Sequence, residues 1–184
     1  MIDRLKMWSD NCGITEQKPN RIDYVGNVVG ELGEFYDAVR DNDENEIVDA
    51  IADIIVFSIT EIFKAYVNYP VISAVYEDDE HYVELIQTIQ NYGYNTNRNM
   101  FIYLVTKEIG SENNSYQYLF NTVQLCYTKL VVMGYDIRKV MNEVVLVLES
   151  RVGEWDDDLG KWIKDTSPEA KANWYKPDYS KCKL

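Results

Sequence analysis

Two groups of acids stand close together in the first third of the chain, Glu31 and Glu34 in "GELGEFYDAVRD" and Glu46, Asp49 and Asp53 in "ENEIVDAIADIIVFSI". On a helix each residue advances by about 100 degrees, so spacings of three and four put side chains on one face. Glu31 and Glu34 share such a face, with Asn27 one turn earlier, and Glu46, Asp49 and Asp53 fall within an arc of roughly 60 degrees. Asp53 is the informative member, because it lies between Ala52 and Ile54-Ile55-Val56-Phe57 in one of the most apolar runs of the chain. A carboxylate there is costly to desolvate, and like charges packed into a weakly hydrated groove repel one another. A bound cation relieves both penalties. Oxygen-only donors favour a hard ion, Mg²⁺ or Mn²⁺, and an incomplete protein shell leaves places for water and for phosphate oxygens. The chemistry open to such a group is hydrolysis of a polyphosphate, in which the ion makes water more acidic and offsets charge on the departing pyrophosphate.

The acids need a rigid frame, and the rest of the sequence supplies helices. Four prolines and nine glycines punctuate 184 residues, and apolar residues recur three and four apart over long stretches, which predicts an all-α fold. The segments expected are a short helix from Arg4 to Asp10, a loop through Pro19, a helix from Ile22 to Arg40, and a second long helix from Glu46 to Asn68. Weaker segments follow at Tyr82 to Tyr92 and Asn99 to Ile109, then helices from Ser115 to Met133 and from Ile137 to Arg151. The short "DNDEN" link makes the two long helices antiparallel neighbours, with Glu34 level with Asp49 and Glu31 level with Asp53. Glu46 has a second role open to it, as the N3 residue of a helix capped by Asp43. From Gly153 to Leu184 turn formers, lysines and aromatics mix without periodicity, which predicts an extended arm packed over the helices or over a partner subunit. No linker divides the chain, so 1–184 reads as one domain.

Composition narrows the function. Acidic residues outnumber basic ones 31 to 18, and a net charge of -13 disfavours nucleic acid as a ligand. Cys12, Cys126 and Cys182 are far apart and form no CxxC pair, which argues against disulfides and a thiolate zinc site and fits a reducing cytoplasm. The one histidine, His81, leaves no room for a His-rich metal site, and its place after "YEDDE" reads as a solvated helix start. No signal sequence and no apolar run long enough for a membrane span is present, so a cytoplasmic location is expected.

With these acids in place the sequence resembles the MazG-like, all-α nucleoside triphosphate pyrophosphohydrolases, marked by Glu-x-x-Glu and then Glu-x-x-Asp. Here those are "ELGE", Glu31 to Glu34, and "EIVD", Glu46 to Asp49, with a second register in "DAIAD" that ends on Asp53. The resemblance covers about residues 20 to 68 and 134 to 184, with an insertion expected at about 70 to 115. It implies Mg²⁺-dependent cleavage between the α and β phosphates, giving a nucleoside monophosphate and pyrophosphate, with the site completed in a homodimer or homotetramer. Glu31, Glu34 and Asp53 would be catalytic, and Glu31, Glu34, Glu46, Asp49 and Asp53 would hold the metal. "ESR", "GKWIK" and "WYKPDYS" resemble tail elements of the phage-type subgroup, which makes Arg151, Lys161, Lys164 and Tyr175 candidate substrate contacts. Many members carry a lysine one turn before the first Glu, where this chain has Asn27, itself a candidate contact. Trp8, Trp155, Trp162, Trp174 and Tyr175 are candidates for stacking on a base, each with core packing as the plainer use.

The expected role is a pyrophosphohydrolase shaping a phage deoxynucleotide pool within the host cytoplasm. Two alternatives stay open: a non-enzymatic acidic protein that mimics DNA phosphates, supported by the net charge, and an enzyme like phosphoribosyl-ATP pyrophosphohydrolase, which shares the acidic motif.

Overall fold

Helix boundaries here follow from side chains that satisfy free backbone groups. Asn20 starts the first long helix, its Oδ1 accepting the Ile22 and Asp23 N–H groups at 3.1 and 3.4 Å. Asn42 ends it in the left-handed conformation, φ 56°, a geometry asparagine tolerates, and its N–H and that of Asp43 return to Val39 and Ala38 carbonyls. Asp43 at once caps the next helix, Oδ1 accepting from the Asn45 and Glu46 N–H groups at 3.1 and 3.2 Å. Two residues therefore separate α2 (Arg21–Asp41) from α3 (Glu44–Ala65), and the pair folds back on itself as an antiparallel hairpin.

The computed structural model describes residues 1–65, 79–92, 97–111 and 116–184. Over these the chain is a mostly all-α helical bundle: α1 (Ile2–Asn11), a 3₁₀ turn (Ile14–Glu16), α2, α3, α4 (Asp79–Tyr92), α5 (Arg98–Ile109), α6 (Gln117–Val132) and α7 (Ile137–Ser150). α3 is the central rod, packed against α2, α6 and α7. Its apolar run explains this: Val48, Ile51, Ala52, Ile54, Ile55 and Ile59 are all fully buried. Each of the larger ones contributes about 1.5–3 kcal/mol of transfer free energy. One hydrophobic cluster joins residues from Ile2 to Cys182.

Observed helices match the expected ones to within a few residues. The ends placed at Asn68 and Ser115 lie outside the described residues, as do 70–78, 93–96 and 112–115 of the 70–115 stretch. His81 falls in the first turn of α4. All three cysteines are free thiols. No helix among the described residues is long and apolar enough to cross a membrane.

The C-terminal arm needs correction. Instead of an irregular extended segment it contains an antiparallel hairpin, β1 (Gly153–Asp156) and β2 (Lys161–Lys164), a short α8 (Pro168–Ala172) and a 3₁₀ turn (Tyr179–Cys182). Strands of four residues are too short for an alternating pattern to stand out. The hairpin is made by its ends: Asp156 Oδ1 accepts the Leu159 N–H at 2.8 Å, and Gly160 takes a positive φ of 60°. Gly153 is required because a Cβ there would lie 2.4 Å from the Trp162 ring. The last residues are tied down beside α7, with the Asp136 N–H donating to the Cys182 carbonyl at 2.8 Å and the Leu184 N–H to that of Gly134 at 2.9 Å. Lys183 reaches Glu44 Oε1 at 2.5 Å and lies over the Tyr135 ring, joining the end of the chain to the start of α3.

Candidate metal and phosphate site

The face of α2 carrying Glu31 and Glu34 meets the face of α3 carrying Asp49 and Asp53. Helices α2 and α3 pack along their length, and Val28, Leu32 and Phe35 of α2 and Val48, Ala52 and Val56 of α3 are buried. The acids thus emerge at the edge of the core. Glu31, Asp49 and Asp53 are half-buried, while Glu34, Glu46 and Asn27 are exposed.

Their charges act on one another across the two helices. Burial pushes the Glu31 carboxyl up to about 8, and Asp53, Glu34 and Asp49 raise it further, with Lys164 acting the other way. Asp53 is pushed up to about 7 by burial and by Asp49 and Glu34, while Arg151 and Lys164 pull it back. Asp53 stands first among the charges acting on Glu31, as the antiparallel register requires. Glu46 is raised by burial and then by Asp49, Asp43 and Glu34, which places it on the rim of the group. Its N–H is held by the Asp43 cap at 3.2 Å, but the Asp43 N–H goes to Ala38, so no reciprocal capping box forms.

Donor chemistry and charge fit a hard divalent cation: four carboxylates from two facing helices, with no nitrogen or sulfur ligand among them. Among the described residues no three His, Cys, Asp or Glu side chains are gathered as tightly as ligands of one ion. The fit therefore lies in donor type and mutual repulsion, which a cation would offset.

The C-terminal arm brings cations to the same place. Arg151, just past α7, and Lys164, at the end of β2, both act on Asp53. Their charged ends lie over the Trp174 ring at 5.5 and 5.8 Å. Arg151 Nε and Trp174 Nε1 are buried donors that find no acceptor among the described residues. Buried donors are nearly always paired, so two together beside a set of acids suggest that an oxygen-rich anion completes the site.

Lys161 and Asn27 are placed elsewhere. Both line a cleft of about 170 Å³ together with Trp8, Phe57 and Trp162. Asn27 is one turn before Glu31 and Phe57 one turn after Asp53, so on antiparallel helices the cleft lies about 6 Å along the groove from the acids. Tyr175 turns away, its hydroxyl donating to Glu143 at 2.8 Å and its N–H to Ser150 Oγ at 2.8 Å. Of the stacking candidates, Trp8 and Trp162 meet edge to face at 6.0 Å on the cleft wall, Trp174 lies under the cations, and Trp155 lies on β1.

One site residue was missed from sequence. Tyr179 is buried, and its hydroxyl donates to Asp49 Oδ1 at 2.5 Å. Burial and the Asp49 charge raise its own ionisation well above the ordinary tyrosine range, so it remains a donor. The only sequence signal was a second tyrosine in "WYKPDYS", overshadowed by Tyr175. Tyr179 thereby fixes one Asp49 oxygen. Replacing Tyr179 with Phe keeps the ring and removes this restraint, so Mn²⁺ affinity, measured by electron paramagnetic resonance, is expected to fall about 10–100-fold with little change in melting temperature. Unaltered Mn²⁺ binding would assign Tyr179 to packing alone. Comparison of the chain with protein-family models, curated proteins and solved structures finds no match.

Proposed function

We propose that the protein is a Mg²⁺-dependent (deoxy)nucleoside triphosphate pyrophosphohydrolase of the MazG-like type, releasing a nucleoside monophosphate and pyrophosphate. What supports this reading is that Glu31, Glu34, Asp49 and Asp53 of the facing helices α2 and α3 lie near enough to one another, and to Arg151 and Lys164 of the C-terminal arm, for their charges to act on Glu31 and Asp53. Acids alone would suit many roles. Acids beside Arg151 and Lys164, with Arg151 Nε and the neighbouring Trp174 Nε1 buried and without an acceptor among the described residues, suit a bridging anion, as a metal-bound polyphosphate would be.

Glu31, Glu34, Asp49 and Asp53 would hold the ion, which supplies charge to the α–β bridge and acidity to water; Glu46 stands at the rim. Arg151 and Lys164 bind non-bridging phosphate oxygens, and Arg151 is oriented by the Trp174 ring. A carboxylate of this group that the ion leaves free would be placed to accept a proton from the attacking water. The nucleoside extends toward Asn27, Lys161 and the aromatic cleft. A cytoplasmic, phage-encoded role in shaping the dNTP pool is consistent with this chemistry.

The proposed homodimer or homotetramer has a candidate contact on the outward face of α2. Ile22, Val29 and Tyr36 are 84%, 53% and 45% exposed, Tyr36 with Arg98 over its ring, and among the described residues nothing stands within 4 Å of a Cβ at the intervening Gly26 and Gly33. A second helix can approach closely there and bury the stripe.

The deciding experiment incubates the protein with each canonical (d)NTP and Mg²⁺ and identifies the products. Monophosphate with pyrophosphate is expected. Diphosphate with orthophosphate would reject cleavage at the α–β bond, and no turnover of any nucleotide would favour the non-enzymatic acidic protein.

A further inference from the structure

A row of polar groups on α7 has no part in the phosphate chemistry proposed above. Lys139, Glu143 and Ser150 follow at spacings of four and seven, so they share one face of the helix, with Asp136 at its N-terminus. Each of them holds the C-terminal segment, which runs back along that face. Ser150 Oγ accepts the Tyr175 N–H at 2.8 Å, and Glu143 Oε2 accepts both the Tyr175 hydroxyl at 2.8 Å and the Asp178 N–H at 3.0 Å. Farther on, Lys139 Nζ donates to the Lys183 carbonyl at 2.9 Å and the Asp136 N–H to that of Cys182 at 2.8 Å. Between the grips at Asp178 and Cys182 lies Tyr179, which is buried and reaches across to Asp49 on α3.

We infer that Glu143 is a positioning residue for the acidic group: it clamps the turn at Asp178 so that Tyr179, the next residue, stays on Asp49. The effect on metal rests on the reading of Asp49 as a metal donor; the clamp does not. A segment outside any sheet gains no ladder of backbone bonds, and each residue held in one conformation loses entropy. Its order therefore depends on the few groups that grip it, and Glu143 grips nearest to Tyr179. The Glu143 Oε2 has two lone pairs and both are filled, one by a side chain and one by the N–H that precedes Tyr179. Bonds to an ionised acceptor are the stronger kind. Hydrogen bonds weaken steeply as their angle is lost, so a small drift of the turn would release Asp49. Tyr175, which resembles a substrate contact in sequence, spends its hydroxyl on this clamp.

The test compares wild type with Glu143→Met, which keeps side-chain length and removes the acceptors, and Glu143→Gln, whose amide oxygen can take the place of Oε2. Tyr179→Phe and the double variant Glu143→Met with Tyr179→Phe complete a cycle. Mn²⁺ affinity is read by electron paramagnetic resonance. In chelator, iodoacetamide alkylation of Cys182 is followed by mass spectrometry, with Cys126 as reference, since both are buried but only Cys182 belongs to the clamped segment. Glu143→Met is expected to bind Mn²⁺ about tenfold or more weakly, Glu143→Gln to recover most of that, and the double variant to bind no more weakly than Tyr179→Phe alone. Cys182 of Glu143→Met should react at least about tenfold faster while Cys126 is unchanged. Unaltered affinity in Glu143→Met, or losses that multiply in the double variant, would overturn positioning through Tyr179. Equal acceleration at Cys126 would assign Glu143 to global stability and overturn it too. If wild type bound no Mn²⁺ the metal reading would fall, and Cys182 would decide the clamp: faster alkylation in Glu143→Met upholds it, unchanged alkylation overturns it.

Discussion

Asp53→Asn is expected to abolish Mg²⁺-dependent pyrophosphate release and at the same time to stabilise the protein in chelator at pH 8. Both effects have one cause. Asp53 is the innermost of the acids, seated between fully buried Ala52 and Ile54, and burial together with Asp49 and Glu34 raises its proton affinity. At pH 8 it is mostly ionised in a place that disfavours charge. The amide keeps the shape and removes the charge, so a destabilising repulsion disappears along with a metal donor. Activity should fall by more than about 100-fold, beyond the range seen for partners that only orient a ligand. Glu34→Gln on α2 should also lose turnover, with a smaller gain in stability because Glu34 is exposed. Pyrophosphate assays beside thermal melts in chelator check both. Retained turnover in Asp53→Asn would remove Asp53 from the mechanism, and a lowered melting temperature would contradict the repulsion.

The second large effect is on stability against pH. Glu31 and Asp53 have folded-state values near 8 and 7, above the ordinary values of 4.5 and 3.8 that they regain on unfolding. Across that interval the folded protein binds more protons than the unfolded chain, so stability falls as pH rises. The contribution is complete below about pH 4, is lost progressively above it, and is gone above pH 8. Because the two groups are coupled and partly solvated, the total loss is on the order of a few kcal/mol. Millimolar Mg²⁺ should restore melting temperature most at pH 8 and least at pH 5, since the ion competes with protons for the same oxygens. A melting temperature in chelator that is flat between pH 5 and 8.5, or an equal Mg²⁺ effect at both ends, would contradict the shared site.

The frame of the candidate site was legible because its determinants are local. Asn20, Asn42 and Asp43 cap and terminate the two long helices through bonds spanning two to five residues, and the apolar run of α3 marks the central rod. With a two-residue link the antiparallel register followed, and so did the pairing of Glu31 with Asp53. The C-terminal arm was less legible. Its candidates Lys164 and Arg151 come to the acids, Lys161 goes to the cleft and Tyr175 to Glu143, although all four looked alike in sequence as polar residues near aromatics.

Residue spacing by itself determined an all-α chain and the acids that share a helix face, since helix periodicity and capping act over one or two turns. Tertiary structure decided what meets them. Tyr179 lies 130 positions from the Asp49 it restrains. The position of Arg151 and Lys164 over Trp174, the hairpin that lays Trp162 against the cleft, and the burial of Glu61 with Lys64 likewise depend on how the arm packs over α3 and α7. No local pattern encodes such contacts, because they form only when segments far apart in the chain bury their apolar surfaces together.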